Sequence, residues 1–328
     1  MKVLIIGNKE RYDKFMPELP VINQSELFFC KRGSSDDELL AAASDAEVII
    51  ADAISPVSGN LMKKMPNLKM IHSEGVAFDR IDIDTAKSLG IYVCNNKGAN
   101  APAVAEQALM LMLGLLRSTI AGDAAVRTGG QIQMKEKLME TGITDLADCT
   151  VGLIGFGDIA RETALRLKAF GSNICYYSAH RKSEAVERDY GMTYRPLDEL
   201  LACSDIVSLH VPVTAETKHM VNEAFLERMK PTSYLINTAR GEIVDQIALR
   251  KAIISGQIAG AGLDTLDPEP VTVDNPLVDL PESHRYKVLL APHLGGITTG
   301  SFKRMHRHIW LNVQRIADGE QPDCIVNL

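Results

Sequence analysis

The sequence predicts an α/β protein built from two Rossmann-like domains, each with a doubly wound parallel sheet. Three observations predict this class: short apolar runs alternate with helix-like segments, a glycine-rich turn follows the run at 150–154, and 328 residues suit about two domains. Apolar runs separated by helices indicate parallel strands that are covered on both faces.

The alternating elements fall into two sets. The first set has predicted strands at 2–7, 47–51, 69–72 and 91–94, with helices at 36–44 and 82–89. The second has predicted strands at 150–154, 172–177, 206–211, 233–237, 258–263 and 288–291, and a final helix at 298–317 follows it. Because this last helix is expected to pack on the first set, the predicted domains are 1–100 plus 297–328, and 101–296.

The segment between the two sets is less regular. Asn100 is a good N-cap for a helix that begins with Ala101-Pro102, and residues 104–116 are apolar on most faces. Such a helix is buried nearly all round, so we expect it between domains or between subunits. Residues 127–148 are polar and are predicted to be an irregular loop or an arm.

Composition excludes several classes of function. The hydrophobic fraction of 46% and charged fraction of 23% are those of an ordinary globular protein, and the net charge of -7 argues against nucleic acid as a partner. No stretch is long enough to span a bilayer, and the N-terminal apolar run is too short for a signal sequence, so the cytoplasm is expected. The six cysteines lack metal-ligand spacing; free thiols are favoured over disulfides, and no metal site is expected.

The run at 150–154 leads into Gly155-Phe-Gly157-Asp-Ile-Ala160 and then into a helix. Gly155 permits a tight turn, Gly157 lets the backbone approach a pyrophosphate, and the small Ala160 allows the helix to pack close to the strand. The helix N-terminus adds N–H donors and a positive dipole. With a strand on each side at the expected spacing, the motif predicts a dinucleotide site, the alternative being a structural turn.

The residues after the next strand bear on the choice of dinucleotide. An acidic residue there would bind the ribose 2′-hydroxyl, but the sequence reads Ser178-Ala-His-Arg181-Lys182. These side chains can donate hydrogen bonds to a 2′-phosphate, each worth roughly 1.5–3 kcal/mol, which favours NADP over NAD by about a hundredfold. The alternative is that Arg181 and Lys182 begin a solvated helix.

Three charged residues follow three predicted strands: Arg240, Glu269 and His293. Residues beyond the carboxyl ends of parallel strands converge on one crevice. Arg can grip a carboxylate through two parallel hydrogen bonds, and a His that is paired with Glu can transfer a proton. Together with the dinucleotide site, this set predicts hydride chemistry on a small acid, with these three residues as the catalytic ones.

On these motifs the chain resembles the D-isomer-specific 2-hydroxyacid dehydrogenase family, and in particular its glyoxylate and hydroxypyruvate reductases, nearly end to end. The shared motifs, in the family's order, are Gly75-Val-Ala-Phe-Asp79-Arg-Ile-Asp82, Asn100-Ala-Pro-Ala-Val-Ala-Glu106, Gly155-Phe-Gly-Asp-Ile-Ala160, His210-Val-Pro-Val-Thr-Ala-Glu-Thr217, Asn237-Thr-Ala-Arg240-Gly, Gly262-Leu-Asp264 with Pro268-Glu269-Pro270, and Pro292-His293-Leu-Gly-Gly296.

The resemblance implies roles toward the substrate. Arg240 would bind the substrate carboxylate and the reacting oxygen, and His293 would be the acid/base with Glu269 as its partner. The backbone N–H groups of Val76 and Ala77 would receive the substrate carboxylate. Many members of the family have Gly where this chain has Ala77, and this difference predicts that the substrate-binding end of the active site is narrower here.

The resemblance also implies cofactor contacts and an assembly. Asp264 would hold the nicotinamide carboxamide, and Pro212 and Thr217 would border the adenosine. The complete predicted cofactor set is Val104, Gly155, Gly157, Asp158, Ile159, Ser178, Arg181, Lys182, Pro212, Thr217, Thr238 and Asp264. A homodimer is implied, with a cleft between a substrate domain (1–100 plus 297–328) and a dinucleotide-binding domain (101–296).

The predicted function is an NAD(P)-dependent D-2-hydroxyacid dehydrogenase that reduces a small 2-oxoacid, of the glyoxylate, hydroxypyruvate or pyruvate type, with NADPH. The alternative is a nicotinamide-sensing binding protein, since transcriptional corepressors share the fold and the glycine loop. Two further residues, His306 and His308, are candidates for lining the substrate cleft. Glu74 is predicted to be an ordinary loop charge.

Overall fold

The computed structural model describes residues 1–328, which divide into two compact units. The first unit comprises Met1–Asn100 together with Ile297–Leu328, and the second comprises Ala101–Gly296. Each unit contains one wholly parallel sheet with helices on both faces. The predicted fold class, two parallel-sheet α/β domains, is confirmed.

The sheet of the first unit has five strands in the order β2-β1-β3-β4-β5. Its inner strands are buried on both faces and mostly apolar, with the buried His72 and Ser73 at the end of β4, so polar and apolar residues do not alternate along them. The strands are β1 (Lys2–Ile6), β2 (Glu26–Cys30), β3 (Val48–Ala51), β4 (Met70–Ser73) and β5 (Tyr92–Cys94).

Six helices cover this sheet, and one of them comes from the C-terminal segment of the chain. Thr298 caps it through a hydrogen bond from the Ser301 N–H, and its Trp310 is fully buried against the sheet. The helices are α1 (Lys9–Phe15), α2 (Pro20–Asn23), α3 (Asp36–Ala43), α4 (Gly59–Lys63), α5 (Ile83–Ser88) and α14 (Thr299–Ala317).

The sheet of the second unit has seven strands in the order β12-β11-β10-β9-β6-β7-β8. The order reverses between β9 and β6, and ligands of such sheets bind beyond the carboxyl ends of the strands at this point. The strands are β6 (Thr150–Ile154), β7 (Asn173–Tyr177), β8 (Met192–Tyr194), β9 (Ile206–Leu209), β10 (Tyr234–Asn237), β11 (Gly260–Leu263) and β12 (Val288–Leu290).

The helices of the second unit begin with the apolar helix α6, most of whose residues are buried, as predicted. Gly155 and Gly157 precede α9, the helix of the dinucleotide motif. The helices are α6 (Ala101–Leu116), α7 (Thr119–Arg127), α8 (Gln131–Thr141), α9 (Asp158–Phe170), α10 (Glu184–Tyr190), α11 (Leu197–Cys203), α12 (Glu223–Leu226) and α13 (Gln246–Ser255).

The prediction of an irregular stretch at 127–148 was wrong. Helix α8 occupies residues 131–141, and a short 3-10 turn follows at 146–148. The segment is polar but rich in good helix formers such as Gln, Met, Lys, Glu and Leu, and Gly130 and Gly142 flank it. Polarity therefore indicated exposure, whereas helix propensity determined the secondary structure.

Two edge strands, β2 and β8, were not predicted. Strand β8 has only three residues, whereas β2 is a five-residue run, Glu-Leu-Phe-Phe-Cys, whose apolar residues are half-buried at the edge of the sheet. The six cysteines form no disulfide bond, as predicted. No single helix is long and apolar enough to cross a membrane; the bent pair α6 and α7 meets the length and composition criteria together.

Candidate active site

The glycine turn lies at the carboxyl end of β6, where the strand order of the second unit reverses. Gly155 has φ +93, and a Cβ there would lie 2.4 Å from the His210 carbonyl oxygen. Its N–H donates to the Tyr177 carbonyl at 2.8 Å, which ties the turn to the end of β7. Only glycine fits this left-handed position against the neighbouring backbone.

The N-terminus of α9 follows the turn and presents free donors. Gly157 is the N-cap without a side-chain cap, and the N–H groups of Asp158 and Ile159 donate to no protein acceptor. A Cβ at Gly157 would meet nothing within 4 Å, whereas Ala160 is fully buried. A helix N-terminus with open space before it suits a pyrophosphate.

The end of β7 contains a carboxylate that sequence reasoning missed. Arg181 donates from Nε and Nη2 to the two oxygens of Glu187 at 2.9 and 3.0 Å, and the Tyr176 hydroxyl donates to Glu187 at 2.9 Å. The hydrogen bond from Arg181 lowers the pKa of Glu187. The Nη1 group of Arg181 has no protein acceptor, while Ser178 and Lys182 are half-buried.

The other predicted cofactor residues lie on helix α6 and on separate loops of the second unit. The Thr217 hydroxyl donates to the Pro212 carbonyl at 2.6 Å, which closes an exposed turn after β9. Val104 is buried in α6. Thr238, directly after β10, is 6% exposed, and its hydroxyl has no partner. An orphaned buried hydroxyl and the free donors at α9 fit a bound dinucleotide.

Arg240 follows β10 on a turn that Asn237 holds. The Asn237 amide donates to the Arg240 carbonyl at 2.8 Å, and its oxygen accepts the Ala239 N–H at 2.9 Å. A Cβ at Gly241 would lie 2.2 Å from the Leu266 carbonyl carbon, so the turn packs tightly on the loop after β11. The exposed Arg240 guanidinium contacts only the Ala239 carbonyl at 2.8 Å and neither of the other two predicted catalytic residues.

Glu269 and His293 are in direct contact. His293 Nδ1 lies 2.8 and 3.0 Å from the two carboxylate oxygens of Glu269, and the two side chains are 43% and 44% exposed. Because an ionised carboxylate only accepts, the imidazole carries a proton on Nδ1, which leaves Nε2 for another partner. His293 has φ +53, a left-handed conformation that is uncommon for a non-glycine residue.

Asp264 anchors the backbone that carries His293. This carboxylate directly follows β11, is 2% exposed, and accepts the N–H groups of Leu294 and Gly295 at 3.0 and 2.9 Å. Buried Gln107 of α6 donates to it at 3.1 Å, a contact that sequence reasoning missed. Asp264 was predicted to hold the nicotinamide carboxamide, and in this structure it accepts three protein N–H donors.

In the first unit, the turn after β4 exposes backbone donors. The carbonyl groups of residues 73–77 all accept hydrogen bonds, chiefly from Asn95, Asn96 and the Ser73 hydroxyl. The N–H groups of Val76 and Ala77 donate to no protein acceptor. Successive free N–H groups at the carboxyl edge of a sheet form a concavity that suits an anion.

One prediction about the first unit was wrong. Glu74 is not an ordinary loop charge, because it is 4% exposed and accepts hydrogen bonds from Arg11 and from His306. His306 is fully buried in this contact, so it does not line a cleft. His308 is half-buried and bonded to the Asn96 oxygen at 2.9 Å.

The second unit therefore has the features of a dinucleotide-dependent oxidoreductase, and comparison with known proteins agrees. The family model for the NAD binding domain of the D-isomer specific 2-hydroxyacid dehydrogenases matches residues 109–295. The chain is 39% identical to a glyoxylate reductase of Thermofilum pendens over 89% of this chain and 85% of the relative. It is 34% identical to one of Korarchaeum cryptofilum over 100% and 96%.

A solved structure agrees with these matches. The NAD complex of a D-isomer specific 2-hydroxyacid dehydrogenase from Lactobacillus delbrueckii ssp. bulgaricus superposes with a TM-score of 0.82 at 27% identity, over 100% of both chains. The chain belongs to the D-isomer-specific 2-hydroxyacid dehydrogenase family. It is an oxidoreductase that acts on the CH–OH group of small 2-hydroxyacids with a nicotinamide cofactor, which confirms the prediction of an enzyme.

Proposed function

We propose that this protein reduces a small 2-oxoacid of the glyoxylate, hydroxypyruvate or pyruvate type with NADPH. The observation that carries the proposal is the contact between His293 and Glu269, beyond the carboxyl ends of strands in the same sheet that carries the glycine turn. The name of the relatives, glyoxylate reductase, supports a small substrate.

In this proposal His293 is the proton donor. Glu269 accepts a hydrogen bond from the Nδ1–H group and holds the ring in place, so protonated Nε2 donates its proton to the oxygen of the substrate carbonyl as that oxygen gains negative charge. Asp264 holds the backbone after His293 and thereby keeps the imidazole in place. General acid catalysis of this kind contributes about 10²–10⁴ in rate.

Arg240 is proposed to bind the substrate carboxylate and polarise the carbonyl, because its guanidinium is exposed and forms no ion pair. The free N–H groups of Val76 and Ala77 are proposed to receive the carboxylate from the first unit. The first unit is accordingly proposed as the substrate domain, and the second as the dinucleotide-binding domain.

The residues at α9 and after β7, β9 and β10 are proposed to hold the cofactor, which supplies the hydride when bound. Gly155, Gly157, Asp158 and Ile159 would surround the pyrophosphate, and the Thr238 hydroxyl would gain a partner. Val104, Pro212, Thr217 and Asp264 are proposed to complete the cofactor contacts.

The preference for NADPH is proposed on the basis of the residues that follow β7. None of residues 178–182 is acidic, and Arg181 keeps its Nη1 group free for a phosphate while Glu187 holds its other edge. Lys182 and Ser178 add donors. Because Glu187 neutralises part of the Arg181 charge, we expect a smaller preference for NADPH over NADH than two unpaired cations would give.

A panel of 2-oxoacids assayed with NADPH and NADH tests the function. We expect oxidation of NADPH, followed at 340 nm, with glyoxylate, hydroxypyruvate or pyruvate, and at least tenfold higher kcat/KM with NADPH than with NADH. Equal efficiency with the two cofactors would contradict the role given to Arg181. Binding of NADPH without turnover on any 2-oxoacid would favour the nicotinamide-sensing alternative.

Replacement of the proposed proton donor tests the mechanism. We expect His293→Gln to lower kcat for 2-oxoacid reduction by about 10²–10⁴, with NADPH affinity unchanged in a fluorescence titration. His284→Gln is the matched control, because this histidine contacts only Ser283 on the same unit. Near-normal turnover by His293→Gln would exclude His293 as the acid.

We also propose a cytoplasmic homodimer, with no nucleic acid or membrane partner. The exposed apolar side chains of α7 and α8 support the dimer, because neither helix buries a residue within the chain.

A further inference from the structure

Two buried carboxylates with arginine partners lie at the carboxyl ends of β3 and β4 in the first unit. Glu74 directly follows β4 and Asp52 directly follows β3; they are 4% and 5% exposed. Arg11 of α1 donates from Nε to Glu74 Oε1 at 2.9 Å and from Nη2 to Asp52 at 2.8 Å, and also contacts Glu74 Oε2. Arg32 donates to Asp52 at 2.6 Å. Two cations thus balance two carboxylates.

The charges of this cluster depend on one another. Burial opposes ionisation of Asp52, but hydrogen bonds from Arg32 and Arg11 outweigh it and lower the pKa of Asp52. Burial likewise disfavours the charged form of Arg11, but Glu74 and Asp52 raise its pKa. Arg32 forms an ion pair with Asp52 and not with Glu74, so Arg11 is the cation that neutralises Glu74.

His306 completes the surroundings of Glu74 without reaching solvent. Its Nε2 lies 2.9 Å from Glu74 Oε1, its ring packs on Tyr12 with centroids 4.7 Å apart, and its Nδ1 has no partner. Because the carboxylate only accepts, Nε2 carries the proton. A fully buried ring cannot act on a substrate, so His306 supports Glu74 and takes no part in proton transfer.

Glu74 is also fixed to the turn that presents the free donors. Its N–H donates to the Ala51 carbonyl at 2.7 Å, and its carbonyl accepts from Asn96 at 2.8 Å. A Cβ at Gly75 would lie 2.8 Å from the Ala53 Cβ, so the turn packs closely on the end of β3. The free N–H groups of Val76 and Ala77 follow within three residues.

We propose that Arg11 is a positioning residue for the substrate: it neutralises Glu74, so that an anion can bind to the turn beside that buried carboxylate. The proposal rests on the proposed function, in which the turn receives the substrate carboxylate. The chain spacing of 3.8 Å per residue places the Ala77 Cα at most about 11 Å from the Glu74 Cα, and two negative charges about 10 Å apart repel each other. At an effective dielectric constant of about 20, such a repulsion weakens binding by roughly tenfold.

The test compares Arg11→Gln with the double variant Arg11→Gln/Glu74→Gln. We expect Arg11→Gln to raise KM for the 2-oxoacid by about tenfold or more, with kcat and KM for NADPH within threefold of the wild type. We expect the added Glu74→Gln substitution to return KM to within threefold of the wild type, because no uncompensated charge remains at Glu74. A purely structural role predicts that the double variant is at least as impaired as the single one.

Controls separate this inference from the proposed function. Lys9→Gln removes an exposed ion pair with Asp13 on the same helix and should leave KM unchanged. If Arg11→Gln does not fold, the double variant alone tests the proposal. A double variant that folds and has a near-normal KM for the 2-oxoacid supports it. A KM raised tenfold in the double variant, or an unchanged KM in a folded Arg11→Gln, overturns it.

Calorimetric binding of oxalate to the NADPH-bound protein gives the same comparison without turnover. The affinity should fall in Arg11→Gln and recover in the double variant. If the three proteins show this order of oxalate affinities but the wild type reduces no 2-oxoacid, the proposed function is refuted and the role of Arg11 is supported. Equal oxalate affinity in all three proteins would refute the role of Arg11.

Discussion

His72 and Glu74 are two residues apart, and their environments differ in one respect that decides their chemistry. Burial lowers the pKa of His72 to about 3, since its ring meets no opposite charge: it bonds to the Ser73 carbonyl and Asn312 and packs on the ring of His308, whose pKa burial also lowers. Glu74 has Arg11 as a cation partner. At single residues, a buried group keeps its charge only where the fold provides an opposite one.

The neutral His72 predicts acid sensitivity of the first unit. Between pH 6.5 and 3 the unfolded chain binds a proton at His72 that the folded chain does not, so stability falls as pH falls through this window. From pH 7 to pH 5 we expect a loss of about 2 kcal/mol in the free energy of unfolding. Urea unfolding followed by fluorescence of the single, buried Trp310 measures this unit.

The variant His72→Asn isolates the effect, because an amide can still donate to the Ser73 carbonyl but does not titrate. Its stability should change by about 2 kcal/mol less than that of the wild type between the two pH values. His284→Asn, in the second unit, should leave the Trp310 transition and its pH dependence unaltered. Parallel pH profiles for the wild type and His72→Asn would contradict a neutral, buried His72.

At the scale of elements, the turn between β6 and α9 shows that its two glycines have different tasks. Gly155 has a left-handed φ and the His210 carbonyl against it, whereas Gly157 has an ordinary φ and open space before it. The first glycine is therefore required by the fold, and the second is required only where a ligand approaches the backbone.

Substitution of the two glycines should affect different properties, stability at Gly155 and cofactor binding at Gly157. We expect Gly155→Ala to destabilise the protein by about 2–4 kcal/mol, from backbone strain and a clash with backbone atoms. Gly157→Ala should keep the wild-type Tm without cofactor but weaken NADPH binding at least tenfold. Thermal unfolding and fluorescence titration of both variants provide the measurements. Full NADPH affinity in Gly157→Ala would argue against close approach of the pyrophosphate.

At the scale of the whole molecule, several apolar side chains of α7 and α8 are exposed, and neither helix has a fully buried residue. Val126 is 58% exposed, Ile132 59% and Met139 75%. We expect these helices to form the interface of the proposed homodimer, so that Ile132→Glu/Met139→Glu shifts the mass in light scattering from dimer to monomer. Val273→Glu, at a valine that is 86% exposed elsewhere, should leave the dimer intact. A monomeric wild type would contradict the interface.

The sequence by itself determined the fold class, ten of the twelve strands, five of the fourteen helices and the turn at Gly155. Local patterns carry this information, because apolar runs, caps and glycines report on the backbone within a few residues. The sequence also indicated Arg240, Glu269 and His293, since each follows a recognisable strand. It missed the two edge strands β2 and β8, of which β8 has only three residues.

Only the tertiary structure decided which polar groups meet. Glu74 contacts Arg11 and His306 from positions 63 and 232 residues away, and Gln107 reaches Asp264 across 157 residues. No local pattern indicates such partners, because they depend on how strands are ordered and how α14 returns to the first unit. Glu74 was therefore predicted as an ordinary loop charge, whereas the fold buries its carboxylate and pairs it with Arg11.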